Sequence, residues 1–272
     1  MGNSESKLYM PNLKNLFQLD PSIVFLNHGS FGAVPSEVFQ TYQEWQRKLE
    51  FQPVKFLGRE ITHLMQSARA SLAVYLGAQE DEILYFPNPT TAINMVARNM
   101  IPTPFENNNK TGVRFKLHPG DEILTSDHEY GAMDRTWNYI CEVTGARYRK
   151  QSIQTPISDD ATGFVDQFWQ GVTSKTRVIF ISHITSPTAM IFPVAEICRR
   201  ARQAGILTIV DGAHAPGQIN LNLLELGADI YTSACHKWLM APKGSAFLYA
   251  RKEVQSWMDP LIISWGFASE AG

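Results

Sequence analysis

Residues 205–237 read GILTIVDGAHAPGQINLNLLELGADIYTSACHK, and the rest of the chain is arranged around them. The stretch opens on a nearly unbroken apolar run, Ile206-Leu207-Thr208-Ile209-Val210, between Gly205 and Gly212. That length and β-branched content predict a strand buried on both faces, as in a parallel sheet. Asp211 stands where the strand should end. A second short strand over 228–232 leads to Ser233, His236 and Lys237. Open α/β sheets bind ligands in the crevice beyond the carboxyl ends of their strands. Two neighbouring strand ends would therefore bring a carboxylate, a hydroxyl, two histidines (His214 and His236) and a lysine into one crevice.

A lysine amine can condense with an aldehyde to a Schiff base. Enzymes that use pyridoxal 5'-phosphate (PLP) also set a carboxylate against the pyridine nitrogen, which keeps that nitrogen protonated. Lys237 and Asp211 supply this pair. The motifs D-G-A-H-A-P-G at 211–217 and S-A-C-H-K-W at 233–238 resemble the class V aminotransferase family of fold-type I PLP enzymes, in particular its isopenicillin-N-epimerase-like branch. The resemblance implies PLP as cofactor, Lys237 as the lysine that carries it and Asp211 as the partner of the pyridine nitrogen. It sets His214 near the phenolic oxygen, and Ser233 and His236 at the phosphate. It also implies a three-layer α/β/α sandwich with a mostly parallel, mixed sheet, and a homodimer whose sites lie between subunits. The plain alternative for Lys237 is a surface lysine after a strand.

The 272 residues are 44% hydrophobic and 18% charged, with a formal net charge of −2. That is ordinary globular composition, enough for one large domain or two small ones. Near-zero charge without a basic block argues against a nucleic-acid surface. No apolar run reaches membrane-spanning length, and the N-terminus lacks the apolar core of a signal peptide. The three cysteines, Cys141, Cys198 and Cys235, are far apart and have no zinc-ligand spacing. No metal site is expected, and a reducing, cytoplasmic setting is. Residues 1–6 match a myristoylation pattern and Asn109-Lys110-Thr111 a glycosylation sequon; such short matches arise by chance, and both are set aside.

Residues 1–21 read as a polar arm and 22–272 as the large, cofactor-binding domain. A strand over 23–26 should lead into a turn over 27–32, whose glycines permit close approach of a ligand. In the resembled family a similar turn borders the substrate pocket; the alternative is a bare connection, and His28 receives no role. Ser36 is expected to cap a helix carrying Val38, Phe39, Tyr42, Trp45 and Leu49 on one face, for the core or a subunit interface. A second amphipathic helix runs from about Glu60, with Ile61, Leu64, Met65, Ala68, Leu72 and Leu76 inward and Gly77 closing it. Next, a strand over 82–86 meets Pro89-Thr90-Thr91. Hydroxyl residues opening a helix put free N–H groups and the positive dipole end together, which is an anion site. The resemblance assigns the phosphate to this turn through Thr90. Thr91 should assist, because Pro89 has no N–H to give.

Residues 101–117 read as an exposed loop. A strand then ends at Ser126, followed by Asp127-His128-Glu129-Tyr130. The resembled family places an aromatic or histidine here, stacked on the pyridine face. His128 and Tyr130 both qualify, since strand alternation points them the same way, and His128 is preferred. Helices follow over 133–143 and near 166–171. A buried strand over 177–182 leads to Thr185 and Ser186, either of which suits the polar position over the phenolic oxygen, while His183 packs or caps. The helix over 194–204 returns the chain to Asp211. The strand over 245–250 should run antiparallel, and the 261–267 segment resembles a loop that reaches the neighbouring subunit's site.

Members of the family usually continue into a smaller carboxy-terminal domain, whose arginine clamps the substrate carboxylate. That domain is expected to be missing from this chain. Epimerisation, transamination and loss of a β-substituent (a C–S lyase) stay open as outcomes on an amino-acid substrate. Lys237 is the natural base on one face, and epimerisation needs a second donor on the other, for which no residue stands out. A cysteine desulfurase-type enzyme belongs to the same alternative; it needs a cysteine on a mobile loop, where none of the three is placed, and the missing domain could have held it. The contrasting expectation is a shortened PLP-fold protein that binds cofactor without turnover.

Overall fold

The computed structural model describes residues 13–102, 115–156, 161–264 and 267. The myristoylation match and the sequon lie outside these, as do parts of the 101–117 and 261–267 segments. In chain order the helices are α1 (Ser36–Phe51), α2 (Pro53–Lys55), α3 (Ile61–Leu76), α4 (Pro89–Arg98) and α5 (Gly131–Thr144). Then come α6 (Ala161–Trp169), α7 (Val194–Gln203), α8 (Leu223–Leu226) and α9 (Lys252–Gln255). The strands are β1 (Ile83–Phe86), β2 (Glu122–Ser126), β3 (Arg147–Gln151), β4 (Thr176–Ser182), β5 (Leu207–Asp211), β6 (Ile230–Ala234) and β7 (Ala246–Ala250). No helix among the described residues is long and apolar enough to cross a membrane.

Among the described residues seven strands form one sheet in the order β1-β7-β6-β5-β4-β2-β3. β7 pairs antiparallel with both β1 and β6, and the other pairings are parallel. Six strands therefore point their carboxyl ends to one edge. The sheet is mixed but mostly parallel, as the resemblance implies. Alternation along each strand feeds two separate cores. Ile179, Ile181 and Val210 face the layer of α6, α7 and α8 together with the end of α3. Val178, Phe180 and Ile209 face α4 and α5. Helices cover both faces, which makes the three-layer sandwich.

Several expectations need correction. Residues 23–26 form no strand: Val24 and Leu26 are 76% and 82% exposed and have no ladder to join. Among the described residues of the arm, Phe17 bridges to Pro35 and meets the His28 ring edge to face. Pro35, not Ser36, is the N-cap of α1, and it gives no side-chain hydrogen bond. No residue of α1 is buried, and α3 buries only Ala73 and Leu76. α6 begins at Ala161 and carries Gly163 inside it, because Phe164, Val165 and Phe168 all reach the core from that span. β6 starts two residues later than expected, which puts Ser233 inside the strand. β3 gave no apolar signal. It is an edge strand paired with β2 alone, and its charges are met locally: Arg149 by Glu122 at 2.8 Å and Lys150 by Asp134 at 2.6 Å.

Candidate active site

β5 and β6 are neighbours, with Asp211 opposite Thr232, and the chain leaves both at the same edge. Beyond them lies a cavity of about 250 Å³, walled on this side by Asp211, His214, His236 and Lys237. Segments following β1 (Asn88, Pro89, Thr90) and β2 (Tyr130, Met133) complete it, with Ser182 at the end of β4 and Ile184 and Ser186 after it. The 27–32 turn closes the remaining side through Gly29, Ser30 and Phe31. Gly32 ties that turn down. Its N–H donates to the His236 carbonyl at 2.9 Å, and a Cβ there would collide with the Lys237 carbonyl oxygen. Only glycine lets the two backbones approach so closely.

Lys237 Nζ lies 3.2 Å from His214 Nε2 and 5.8 Å from the centroid of the Tyr130 ring. Burial pulls the amine below its usual range, against the Asp211 charge that favours the ammonium. Asp211 is buried, and desolvation raises its carboxyl above the ordinary range. The Ala213 N–H, 2.9 Å from Oδ1, and the Lys237 charge oppose that rise. Among the described residues this is the one hydrogen bond to the carboxylate. Asp211 thus has acceptor capacity left for a cationic N–H. Burial first, and Lys237 second, push His214 down to about 4, so its ring is neutral.

The α4 end is built for a negative group. Asn88 is the N-cap, and its Oδ1 accepts from the Thr91 N–H at 2.8 Å and from the Thr91 hydroxyl at 3.1 Å. Pro89, with no N–H to orphan, fits the first turn. Thr90 follows and faces the cavity, carrying both a hydroxyl and an N–H at the positive end of the helix. His236 lines the same cavity, and its Nδ1 is 3.0 Å from the Ser245 carbonyl, which can only accept. Its proton therefore sits on Nδ1. Burial lowers its pKa, with the Ser245 contact opposing.

Four expected site residues do not line this cavity. Thr91 spends its amide and hydroxyl on Asn88. Ser233 follows Thr232, whose side chain shares a face with Asp211, so alternation puts Ser233 on the opposite face. There its hydroxyl is buried without a partner among the described residues. His128 sits in a turn after β2 and points away, with its ring nitrogens 3.2 Å from the Thr188 hydroxyl and the Ile153 carbonyl. Tyr130 holds the place beside Lys237 instead. Thr185 is buried, and its hydroxyl accepts from the Met190 N–H at 2.9 Å, which leaves the cavity to Ser186. His183 packs, as expected, 3.0 Å from the Tyr231 hydroxyl.

Glu129 escaped the sequence reading. It is buried behind Ser182, whose hydroxyl donates to Oε2 at 2.6 Å and whose N–H donates to Oε1 at 3.2 Å. The Ser126 hydroxyl donates to Oε1 at 2.7 Å. Burial raises this carboxyl to about 7 despite those donors, and the nearby Asp211 charge adds to the rise. Ser182 in turn lies opposite Asp211 in the β4–β5 register. The signal was the S-x-x-E spacing of Ser126 and Glu129 at a buried strand end. Asn88 had one as well: a capping residue directly before a helix-opening proline. Among the described residues no cluster of His, Cys, Asp or Glu could hold a metal ion.

The sequence profile of the aminotransferase class-V family matches residues 24–269. This chain belongs to that family. Among its relatives, isopenicillin N epimerase of Amycolatopsis lactamdurans is 34% identical over 260 residues, 94% of this chain and 61% of the relative. A probable chloroplastic L-cysteine desulfhydrase of Arabidopsis thaliana is 28% identical over 244 residues, 86% of this chain and 49% of the relative. Among solved structures, a mutant of the enzyme C-DES with glycine covalently linked to its PLP cofactor superposes with a TM-score of 0.79. That match is 23% identical and covers 94% of this chain and 63% of the other. This class-V aminotransferase family chain thus spans 49% to 63% of the length of these relatives. Within that span lies a cavity with a carboxylate, a neutral imidazole and an amine on one wall and a helix N-terminus on another.

Proposed function

We propose that this chain forms the PLP-binding part of an enzyme that acts at the α-carbon of an amino acid. The observation that carries the reading is the placing of Lys237 and Asp211 at neighbouring strand ends in one cavity wall. The residues present fit the cofactor. A buried carboxylate with acceptor capacity to spare suits a protonated pyridine nitrogen. The start of α4, with Thr90, suits a phosphate, and the Tyr130 ring suits stacking on a pyridine face. When bound, PLP supplies the electron sink that lets an α-proton leave.

The rest falls to the chain. Lys237 would supply the nucleophilic amine toward an aldehyde carbon and the base toward a substrate α-proton. Asp211 would hold positive charge on the ring nitrogen. His214 and Ser186 stand for the phenolic-oxygen side, Thr90 and His236 for the phosphate side. The 27–32 turn would border the substrate on the remaining side. A large domain beginning near residue 22, a homodimer and a reducing, cytoplasmic setting belong to the same reading. The exposed face of α1 and three buried free thiols support the last two.

Inversion at the α-carbon is the first outcome, supported by the 34% identity to an isopenicillin N epimerase. Loss of a β-substituent is the second. It is supported by the desulfhydrase relative and by a cavity in which Lys237 is the evident base, where inversion needs a donor on each face. Neither reading uses a cysteine nucleophile, since Cys141, Cys198 and Cys235 are absent from the cavity wall. Binding without turnover is the remaining possibility. Incubating the chain and PLP with amino acids in heavy water separates the three. Deuterium at an inverted α-carbon supports the first, and pyruvate with sulfide from cysteine supports the second. A cofactor that binds while the α-proton never exchanges leaves binding alone, and a chain that takes up no PLP contradicts the whole reading.

A further inference from the structure

We propose that Trp238 is a positioning residue that fixes the His214 tautomer with its proton on Nε2, so that Lys237 faces a donor and is held as the free amine. The indole Nε1 lies 3.1 Å from His214 Nδ1. An indole N–H can only donate, so Nδ1 must offer its lone pair, and the single proton of a neutral imidazole goes to Nε2. Nε2 is 3.2 Å from Lys237 Nζ. An ammonium has donors and no acceptor, so against Nε2–H it would set donor to donor. A neutral amine accepts instead. With the opposite tautomer the Nε2 lone pair would accept from an ammonium and keep Lys237 charged and unreactive.

Trp238 is held for this task. The His28 ring stacks on it at 5.9 Å with a 27° tilt, and the Ala33 N–H donates to His28 Nδ1 at 3.3 Å. His28, for which the sequence offered no role, is thus the backing of the indole. Gly217 has φ +86°, and a Cβ there would collide with the Trp238 carbonyl. Gly29 lies against both rings: a Cβ there would sit 3.4 Å from His214 and 3.5 Å from the indole. Other groups facing the pair are Asp211, whose charge favours the ammonium, and the Tyr130 ring. Burial of the amine and the imidazole works in the same direction as the tautomer.

The inference rests on the reading of Lys237 as the amine that meets an aldehyde, but its test needs no cofactor. Long-range proton–nitrogen spectra of histidine-labelled protein without PLP report which ring nitrogen carries the proton, and loss of a signal in His214→Ala assigns it. The expected result is Nε2–H in the parent chain and a shift toward Nδ1–H in Trp238→Phe. Lys237 in that variant should react with a small aldehyde and cyanoborohydride about tenfold more slowly at neutral pH for each unit its pKa rises. Nδ1–H in the parent, or an unchanged tautomer and unchanged Lys237 reactivity in folded Trp238→Phe, would overturn the proposal. Should Trp238→Phe not fold, the indole N–H of Trp238 decides. Its resonance should move and its exchange quicken in His214→Ala, and no change overturns the proposal. A parent chain with Nε2–H that takes up no PLP would sink the proposed function and leave this inference standing.

Discussion

Lys237 and Asp211 act through their surroundings more than through their residue types. Each sits where burial opposes its charge and the other favours it. Asp211→Asn keeps the shape and removes the charge, so PLP should bind at least tenfold more weakly, measured by fluorescence titration; unchanged affinity would remove Asp211 from the ring nitrogen. Glu129 yields a stability prediction. Its carboxyl is raised from 4.5 to about 7, so its contribution is fully present below pH 4.5 and is lost as pH rises through about 7. The loss is on the order of 3 kcal/mol at most. The melting temperature of the parent should fall across that window more steeply than that of Glu129→Gln, and parallel profiles would contradict the assignment. At this scale the sequence carried Lys237, Asp211, His214, His236 and Thr90, because strand ends and helix starts are readable from pattern. It lost Ser233 to a strand that began two residues late. Alternation, extended into a turn, points His128 and Tyr130 the same way, whereas only Tyr130 lines the cavity.

Elements carry the next layer of precision. Asn88 caps α4 and fixes its first turn, so Asn88→Ala should cost about 0.5–2 kcal/mol in urea unfolding. It should also weaken phosphate and PLP binding together, because the donors of Thr90 lose their frame. An unfolding midpoint like the parent's would show that the cap does not hold the helix. Gly217→Ala should cost stability and PLP affinity at once, since it combines a positive φ with a collision against the Trp238 backbone; an unperturbed variant would show that this approach is looser than described. β4 and β5 were legible because both faces are buried and their sequences are apolar runs. β3 was not, because an edge strand satisfied by Glu122 and Asp134 has no apolar signature. Residues 23–26 misled for the opposite reason: an apolar run with no strand beside it joins no ladder, and Ile23, Val24 and Leu26 stay exposed.

At the scale of the molecule, the apolar residues of α1 are only partly covered within the described chain: none is buried, and Trp45 meets Phe56 edge to face. Tyr42 is 39% and Trp45 42% exposed. The homodimer reading predicts that Trp45→Glu shifts sedimentation from dimer to monomer while far-ultraviolet dichroism stays constant; a parent chain that sediments as a monomer at all concentrations would contradict it. The strand and helix patterns made an α/β chain legible and the family resemblance implied its three layers, whereas the exposed face of α1 could be placed only once the packing was known. All of this depends on one pair of side chains gripping one cofactor. The direct measurement is to load the chain with PLP, reduce with borohydride and locate the pyridoxyl mark by peptide mass spectrometry. The account predicts the mark on Lys237 and none in Lys237→Ala; a mark on another lysine, or one that persists in the variant, would contradict it.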